Sequence, residues 1–344
     1  MVFEHWSARW VGGILAVAVM WLGAAAAQAQ TPVRFSLDWR WEGPAAPFAV
    51  ALDKGYFKDE GLDVTIEPAT GSREPISRLA AGSHDAGIGD VNSLVRFRAE
   101  NPDANIRAVM MLHNRPPFAI TGRKSRGITK ELSSLQGKKF GAPAADAAFA
   151  QWPILKALHK IDDEGMKFEN VGFPVREPML AQGEVDAVFG FAPTSYVNLT
   201  SRGVPSDDIV VLLMSDYGLD LYGNAVLVSQ KFAQEHPEAV KGLLRAIMKG
   251  VQDTVKDPSA AVDAIIKRND IARKDVELER LKMTLDQNMI TPWVKENGFG
   301  GIDRERFAKA LDQIGLAFEF KQKPAVEAIF TDEFLPPADQ RKVN

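Results

Sequence analysis

The amino-acid sequence predicts an α/β protein of two lobes, each a mainly parallel sheet flanked by helices, with a cleft between them. Two observations carry that expectation. The chain twice runs through alternating strand-like and helix-like segments, an order that pairs strands in parallel through helical crossovers. In addition, LAAGSHDAGIG at residues 79–89 matches LAQGEVDAVFG at residues 180–190 without a gap, 101 residues apart. Leu, Ala, Gly, Asp, Ala and Gly agree, and each segment ends a helix at glycine, turns, and enters a strand behind an aspartate. Chance likeness of small residues is the alternative, because the spacing is too long for a solenoid.

The elements follow in order. Residues 33–41 alternate, with Val33, Phe35, Leu37, Trp39 and Trp41 on one face and Arg34, Ser36, Asp38 and Arg40 on the other, which predicts a strand. Pro47 opens a helix that ends at Lys54, with Gly55 in the C-cap position. YFKDEG is a further helical turn closed by Gly61, and LDVTIE alternates as a second strand. TGSREPISRLAAG gives a glycine loop, a short helix and a stop; DAGIGD is a short buried strand; a helix follows near Asn92–Glu100; IRAVMML is the fourth strand. The second cycle begins after HNRPPFAITGRKSRG. It reads as strand KKFGA, a helix over 147–161, strand KFENVGF, helix REPMLAQ, strand VDAVFGF, a helix near Thr194–Thr200 and strand IVVLLM. GNAVLVS, residues 223–229, is a strand leading into helices that begin near Pro237, Pro258, Asp275 and Asp303, each with acid or proline in its first turn.

At 344 residues the chain can build two cores. A net charge of −4 lacks the basic footprint of a nucleic-acid binder. The first 29 residues differ from the rest: Arg9 and the amino terminus precede the apolar run VGGILAVAVMWLG, and Ala27-Gln28-Ala29 ends the stretch. This is the layout of a secretory signal peptide cleaved near Ala29. An uncleaved anchor is the alternative, although the apolar run falls short of the ~20 residues a spanning helix needs. The absence of cysteine removes zinc–thiolate sites, cysteine nucleophiles and a lipid-modified amino-terminal cysteine. A soluble exported chain without a lipid anchor is expected in the periplasm.

Signatures of catalysis are missing. The chain has no G-x-G-x-x-G after a strand, no Walker loop and no G-x-S-x-G elbow. The histidines His5, His84, His113, His159 and His236 show no metal-ligand spacing, and only His113, at a strand end beside the lobe junction, is a candidate ligand contact. Asp85 and Asp186 precede strands at matched positions and are expected to accept backbone N–H bonds there. A non-enzyme without cofactor or metal is expected.

The segment Leu37–Asp90, with LDW, PFAVALDKGYFKDEGLDVTIEPATGSREPISRLAAGSHDAGIGD and its L-x-x-G-x-x-D-x-G pattern, resembles the periplasmic binding proteins of ATP-driven importers. The branch it is most similar to is that for nitrate, sulfonates, taurine and thiamine-pyrimidine precursors, and looser similarity runs through GEVDAVFGF to the C-terminal helices. The resemblance implies a type II two-lobed fold with two strand-like crossovers, closure around one small ligand and delivery to a membrane permease. It implies a first lobe over 30–117, a second over 118–222, and a return over 223–344 that completes the first. Pyrimidine-precursor binders of this family carry Pro-Asn and a nearby histidine after the first Asp-Trp, whereas this chain has Arg40, Trp41 and Glu42 there. The second-lobe anion loop of many relatives is here GAPAADAAF. The ligand is therefore left open. A related branch of fungal enzymes makes the pyrimidine with iron and a cysteine-rich segment, which this cysteine-free chain lacks.

Ligands of parallel sheets gather outside the carboxyl ends of the strands. After the first strand come Trp39, Arg40, Trp41 and Glu42; after the second come Gly71, Ser72 and Arg73, at a helix start that suits an anionic group. The third delivers Asp90 and Asn92, and the fourth His113. The second lobe offers Asp146, Arg176, Glu177, Phe191 and Tyr196, and the return crossing offers Tyr222 and Asn224. Each has a plainer explanation: burial for Trp39, solvation for Arg40, capping for Ser72, Arg73, Asp90 and Asn92, a surface pair for Arg176 and Glu177. Trp41, beyond the strand end and beside Gly43-Pro44, is the ring expected to face the cleft. This aromatic, amphoteric set favours a planar, pyrimidine-like solute held by stacking and a few polar groups. An organic sulfonate or carboxylate held by Arg40, Arg73 or Arg176 is the alternative guest. An exported enzyme on the same scaffold, or a ligand-sensing partner of a membrane receptor, is the alternative role. The protein is expected to act as a monomer.

Overall fold

Two five-stranded sheets organise residues 30–343, the part of the chain that the computed structural model describes. The expected leader and its cleavage near Ala29 lie outside the described residues. The strands are β1 (Thr31–Ser36), β2 (Leu62–Glu67), β3 (Ala86–Asp90), β4 (Ile106–Met111), β5 (Phe118–Arg123), β6 (Lys139–Gly141), β7 (Lys167–Glu169), β8 (Ala187–Phe191), β9 (Ile209–Leu213) and β10 (Asn224–Ser229). The first sheet has the order β2-β1-β3-β10-β4 and the second β7-β6-β8-β5-β9. β1 pairs in parallel with β2 and β3, and β6 with β7 and β8. β10 runs antiparallel between β3 and β4, as β5 does between β8 and β9. Each sheet is therefore mixed: four strands share one direction, and the strand that has just crossed from the other sheet runs against them.

FAITGR, expected to precede the second cycle of strands and helices, is itself the strand β5. Its residues are buried on both faces except Arg123, so the alternation that marks a half-buried strand is absent. A second correction concerns β1, which ends at Ser36 and not near Trp41. Leu37 N still donates to Glu67 O, but the next bonds run from Ala69 N to Trp39 O and from Gly71 N to Asp38 O, so the chain has left the ladder. The two tryptophans then no longer share a face.

The matched segments enter β3 and β8, third in line in their sheets. Asp85 accepts from Arg34 N at 2.8 Å and Asp186 from Lys139 N at 2.9 Å. Each aspartate thus ties its turn to the backbone of the neighbouring strand, which is why a short polar side chain sits there.

One apolar core lies around the first sheet, where the helix Ala46–Asp53 is sandwiched against helices Pro237–Lys256 and Pro258–Ile266. A second runs from Ile76 and Leu94 of the first lobe through Phe118 and Phe140 of the second to Phe307, Leu311 and Ile314 of the helix Arg304–Gly315. The C-terminal helices touch both lobes: Arg304–Gly315 packs on helix Ala147–His159, and Lys274–Thr284 packs on helix Ala192–Thr200. No described helix is long and apolar enough to cross a membrane.

Candidate functional site

The strands that end toward the middle of the molecule deliver their following residues into a cleft between the lobes. It encloses about 960 Å³ of space free of atoms, counted to its mouth. Its place, between the lobes and at the strand ends, is that expected of a small-molecule site.

The first wall is built where the chain leaves β1, supplying Asp38, Trp39, Arg40 and Glu42. The loop after β2 adds Gly71 and Ser72. Gly71 has φ +149°, and a Cβ there would stand 3.4 Å from the Phe173 ring and 3.5 Å from Ala145 O of the second lobe. Those are ordinary contacts; it is the backbone conformation, rare for residues with a side chain, that calls for glycine at this point between the lobes. His113 follows β4, and Asn224 opens β10. The second wall holds Asp146, Phe173, Arg176 and Phe191. Asp146 caps helix Ala147–His159, accepting from Phe149 N at 2.9 Å. Behind the first wall, helix Lys274–Thr284 continues into a π turn, Leu285–Met289, and Thr284 and Met289 also face the cleft.

Aromatic groups span the gap. The Trp39 and Phe173 rings, one from each lobe, lie 5.1 Å apart at an interplanar angle of 57°. Arg40 Cζ sits 5.2 Å over Trp39, and His113 meets Phe191 edge-on at 6.1 Å.

Most of the charge is already paired. The buried Arg176 binds Asp146 Oδ2 through Nη1 at 2.8 Å and Glu177 Oε1 through Nη2 at 2.7 Å. Ser195 Oγ donates to the same Glu177 oxygen at 3.1 Å. Arg176 and Ser195 of this group lie against Gly190, where a Cβ would come within 2.6 Å of Ser195 Oγ and 2.9 Å of Arg176 Cζ. Glu42 pairs with Arg280. Asp38 differs: its Oδ2 accepts from Asn224 Nδ2 at 2.7 Å, and among the described residues no cation pairs with it. Burial, reinforced by the neighbouring Glu42 carboxylate, pushes its carboxyl up to about 6. Burial pushes the His113 imidazole down to about 4, so it is neutral at neutral pH. Burial also raises the Asp146 carboxyl. The described residues form no cluster suited to a metal ion.

Of the residues expected from the sequence, Trp39, Arg40, Glu42, Gly71, Ser72, His113, Asp146, Arg176, Phe191 and Asn224 line this cleft. The others lie elsewhere. Trp41 packs on the first-lobe core beneath Arg268, whose Cζ is 5.3 Å from the ring, so the indole expected in the cleft is the one that is not there. Arg73 donates across the lobes to Ala144 O at 3.2 Å. Asp90 caps helix Val91–Glu100, and Asn92 Nδ2 bonds Asp90 and Tyr222 O. Glu177 serves Arg176; together they are buried and not a surface pair. Tyr196 packs on a small second-lobe cluster with Leu180 and Leu199. Tyr222 is buried, stacked on Phe307 at 5.7 Å under the Arg306 guanidinium at 4.1 Å.

Asp38 and Phe173 were not anticipated. Extending β1 to Trp41 gave Asp38 to the face opposite the tryptophans, although it stands at the same strand end. Phe173 had a signal in Gly172-Phe173-Pro174, a proline-marked helix start three residues before the expected one.

The chain belongs to the family described as NMT1/THI5-like, which matches residues 44–261. It is 27% identical over 310 residues to the formylaminopyrimidine-binding protein of Halalkalibacterium halodurans, covering 87% of this chain and 89% of that one. It is 25% identical over 300 residues to the riboflavin-binding protein RibY of Chloroflexus aurantiacus, covering 85% and 82%. It is also 23% identical over 282 residues to the 4-amino-5-hydroxymethyl-2-methylpyrimidine phosphate synthase of Aspergillus parasiticus, covering 78% and 81%. Among solved structures it is similar to the alkanesulfonate-binding protein SsuA of Xanthomonas axonopodis pv. citri bound to MOPS, with a TM-score of 0.66, 15% identity, and 88% and 99% of the chains covered. The periplasmic nitrate-binding protein NrtA of Synechocystis PCC 6803 gives a TM-score of 0.67 at 13% identity, covering 91% of each chain. The structural likenesses show the fold, that of the periplasmic binding proteins. The relatives include solute-binding proteins and proteins named as synthases.

Proposed function

We propose that this member of the NMT1/THI5-like family captures one small planar heteroaromatic solute, pyrimidine-like in size, between its lobes and passes it unchanged to the permease of an ATP-driven importer. The observation that carries the reading is the Trp39–Phe173 pair, which places an aromatic ring from each lobe at one point of the cleft. A flat guest that stacks there gains about 0.5–1.5 kcal/mol per aromatic contact beyond burial. Contacts to the second lobe form only when the cleft shuts, so the guest raises the closed population. The crossing segments at residues 112–117 and 214–223 are the natural hinge, and a periplasmic monomer freed of residues 1–29 suits the role.

Pairing of Arg176 with two carboxylates weighs against the organic sulfonate or carboxylate considered above, because its charge is already spent inside the protein. The similarity to proteins named as synthases keeps turnover as the rival to capture. Native mass spectrometry of protein purified without refolding, then calorimetry with pyrimidines and flavin-like rings, tests the reading. Stoichiometric binding with release of the unaltered compound is expected; conversion of the compound, or binding of small anions alone, overturns it.

A further inference from the structure

We infer that the C-terminal helix Arg304–Gly315 splints both crossings between the lobes and confines lobe rotation to two points, Pro116-Pro117 and Gly218, with Arg306 as the positioning residue that ties the crossings together. The inference rests on the lobe-closure part of the proposed function and is independent of what the cleft holds.

Each crossing divides according to what its backbone is bonded to. In the first, Arg306 Nη1 donates to Asn114 O at 2.9 Å, and Thr291 Oγ1 donates to Asn114 Oδ1 at 2.7 Å. Arg115 is held on both sides by Asn288 of the π turn: its N–H donates to Asn288 O at 3.0 Å, and its carbonyl accepts from Asn288 Nδ2 at 3.2 Å. Pro117 O already accepts from Ala192 N of the second lobe, at 2.8 Å. The change of lobe therefore falls on Pro116 and Pro117, which have no N–H to tie down.

In the second crossing Tyr217 belongs to the second lobe. Its hydroxyl donates to Lys130 O at 2.6 Å, and its carbonyl is met by His159 Nε2 at 2.5 Å. One residue later the partner is the C-terminal helix. Gln313 Nε2 donates to Gly218 O at 2.8 Å, and Gln313 Oε1 accepts from Asp220 N at 2.9 Å. Arg306 closes the same stretch, with Nε on Asp220 Oδ1 at 2.6 Å and Nη2 on Leu221 O at 2.7 Å. Here the change of lobe falls on Gly218, whose φ of +80° is a conformation that glycine adopts without steric cost.

The two arms of one guanidinium thus join Asn114 of one crossing to Leu221 of the other, in the fixed fork geometry that a lysine lacks. A helix bonded near both of its ends along residues 218–221 leaves short hinges. The lobes then swing about a defined axis instead of flexing along the whole crossing, and Arg306 sets that axis without touching the cleft.

The chain has no cysteine, so Ser77→Cys and Val175→Cys, exposed positions on the helices Glu74–Ala80 and Phe173–Gln182, take a unique pair of spin labels, one in each lobe. Double electron–electron resonance on this labelled full chain, without ligand, reads the separation of the lobes. Arg306→Ala is expected to widen the distance distribution and shift it to longer values. Arg306→Lys, which reaches one carbonyl at a time, is expected to fall between that variant and the parent. Hydrogen exchange is expected to show residues 219–222 protected in the parent and to lose that protection in Arg306→Ala. A thermal melt checks that each variant is folded; should Arg306→Ala not fold, Arg306→Lys and Gln313→Ala carry the test. Pro116→Gly, which loosens the hinge itself, is the reference. If it widens the distribution while the folded Arg306 variants do not, or if residues 219–222 exchange freely in the parent, the splint is overturned and lobe closure stands. If no substitution moves the lobes, Pro116→Gly included, closure falls and this inference with it.

Discussion

Arg280, on a C-terminal helix of the first lobe, donates through Nη2 to Asn198 Oδ1 of the second lobe at 3.0 Å. The same guanidinium pairs with Glu42 at the cleft wall and lies 3.5 Å from Glu277, whose Oε2 accepts from Gly43 N at 2.7 Å. One buried cation thus holds two carboxylates of the first lobe and reaches across to the second.

The two halves of that arrangement separate by mutation. Asn198→Ala removes this bond between the lobes and leaves Arg280 Nη2 without its partner, so unfolding free energy should fall by about 1–2 kcal/mol while ligand affinity falls severalfold. Arg280→Gln leaves the buried Glu277 and the half-buried Glu42 without their cation and should cost about 3 kcal/mol of stability. Urea unfolding and calorimetry on both variants check this; equal losses of stability would remove the distinction between latch and structural pair.

Gly190→Ala should be severe for one methyl group. The new Cβ collides with Ser195 Oγ and with the Arg176 guanidinium, which is pinned between Asp146 and Glu177 and has nowhere to go. Overpacking of this kind costs about 1–3 kcal/mol. Because displaced Arg176 also disturbs the second cleft wall, ligand affinity should fall with the melting temperature.

Trp39 and Trp41 should give opposite results. Trp39→Ala removes a cleft ring and is expected to lower affinity at least tenfold with little loss of stability. Trp41→Ala removes a side chain from the first-lobe core and from beneath Arg268, and is expected to cost about 2–4 kcal/mol of stability with affinity largely kept. Tryptophan fluorescence on titration with a planar ligand gives a third readout: the ligand-dependent change should disappear in the Trp39 variant only.

The tryptophan pair also marks how far the sequence is legible. Elements with one solvated face are visible by period: LDVTIE alternates and is β2. FAITGR does not alternate, because β5 is covered on both sides, and no local signal separates it from a linker. Sites at strand ends are legible wherever the strand end is, so His113, Asp146 and Asn224 could be placed in the cleft. Which tryptophan faces it depends on where β1 stops. That is decided by hydrogen bonds between residues 37–39 and 67–71, contacts made across the sheet and invisible to a window along the chain. The same holds for Arg176: adjacency to Glu177 suggests a solvated pair, and only folding brings Asp146 to 2.8 Å and buries all three. Thr284 and Met289 reach the cleft from a distant helix, with no motif to announce them.

Stability against pH should reveal two opposed groups in the cleft. The Asp38 carboxyl is raised from an ordinary value near 3.8 to about 6, so the folded protein binds that proton more tightly than the unfolded chain. Its contribution is complete below the ordinary value and is lost as pH rises through 6. The His113 imidazole is lowered from 6.5 to about 4, so here the unfolded chain binds the proton more tightly. Its contribution is complete above 6.5 and is lost as pH falls toward 4. Between pH 4 and 6 the two slopes largely cancel in the wild type, each worth up to about 1.4 kcal/mol per pH unit. Asp38→Asn should unmask the histidine: relative to wild type, the variant gains stability as pH rises from 4 to 6. His113→Asn should do the reverse, gaining relative stability as pH falls over the same window. Urea midpoints of the three proteins at pH 4, 5, 6 and 7 decide it, and parallel pH profiles for wild type and both variants would show that neither group carries the burial assigned to it.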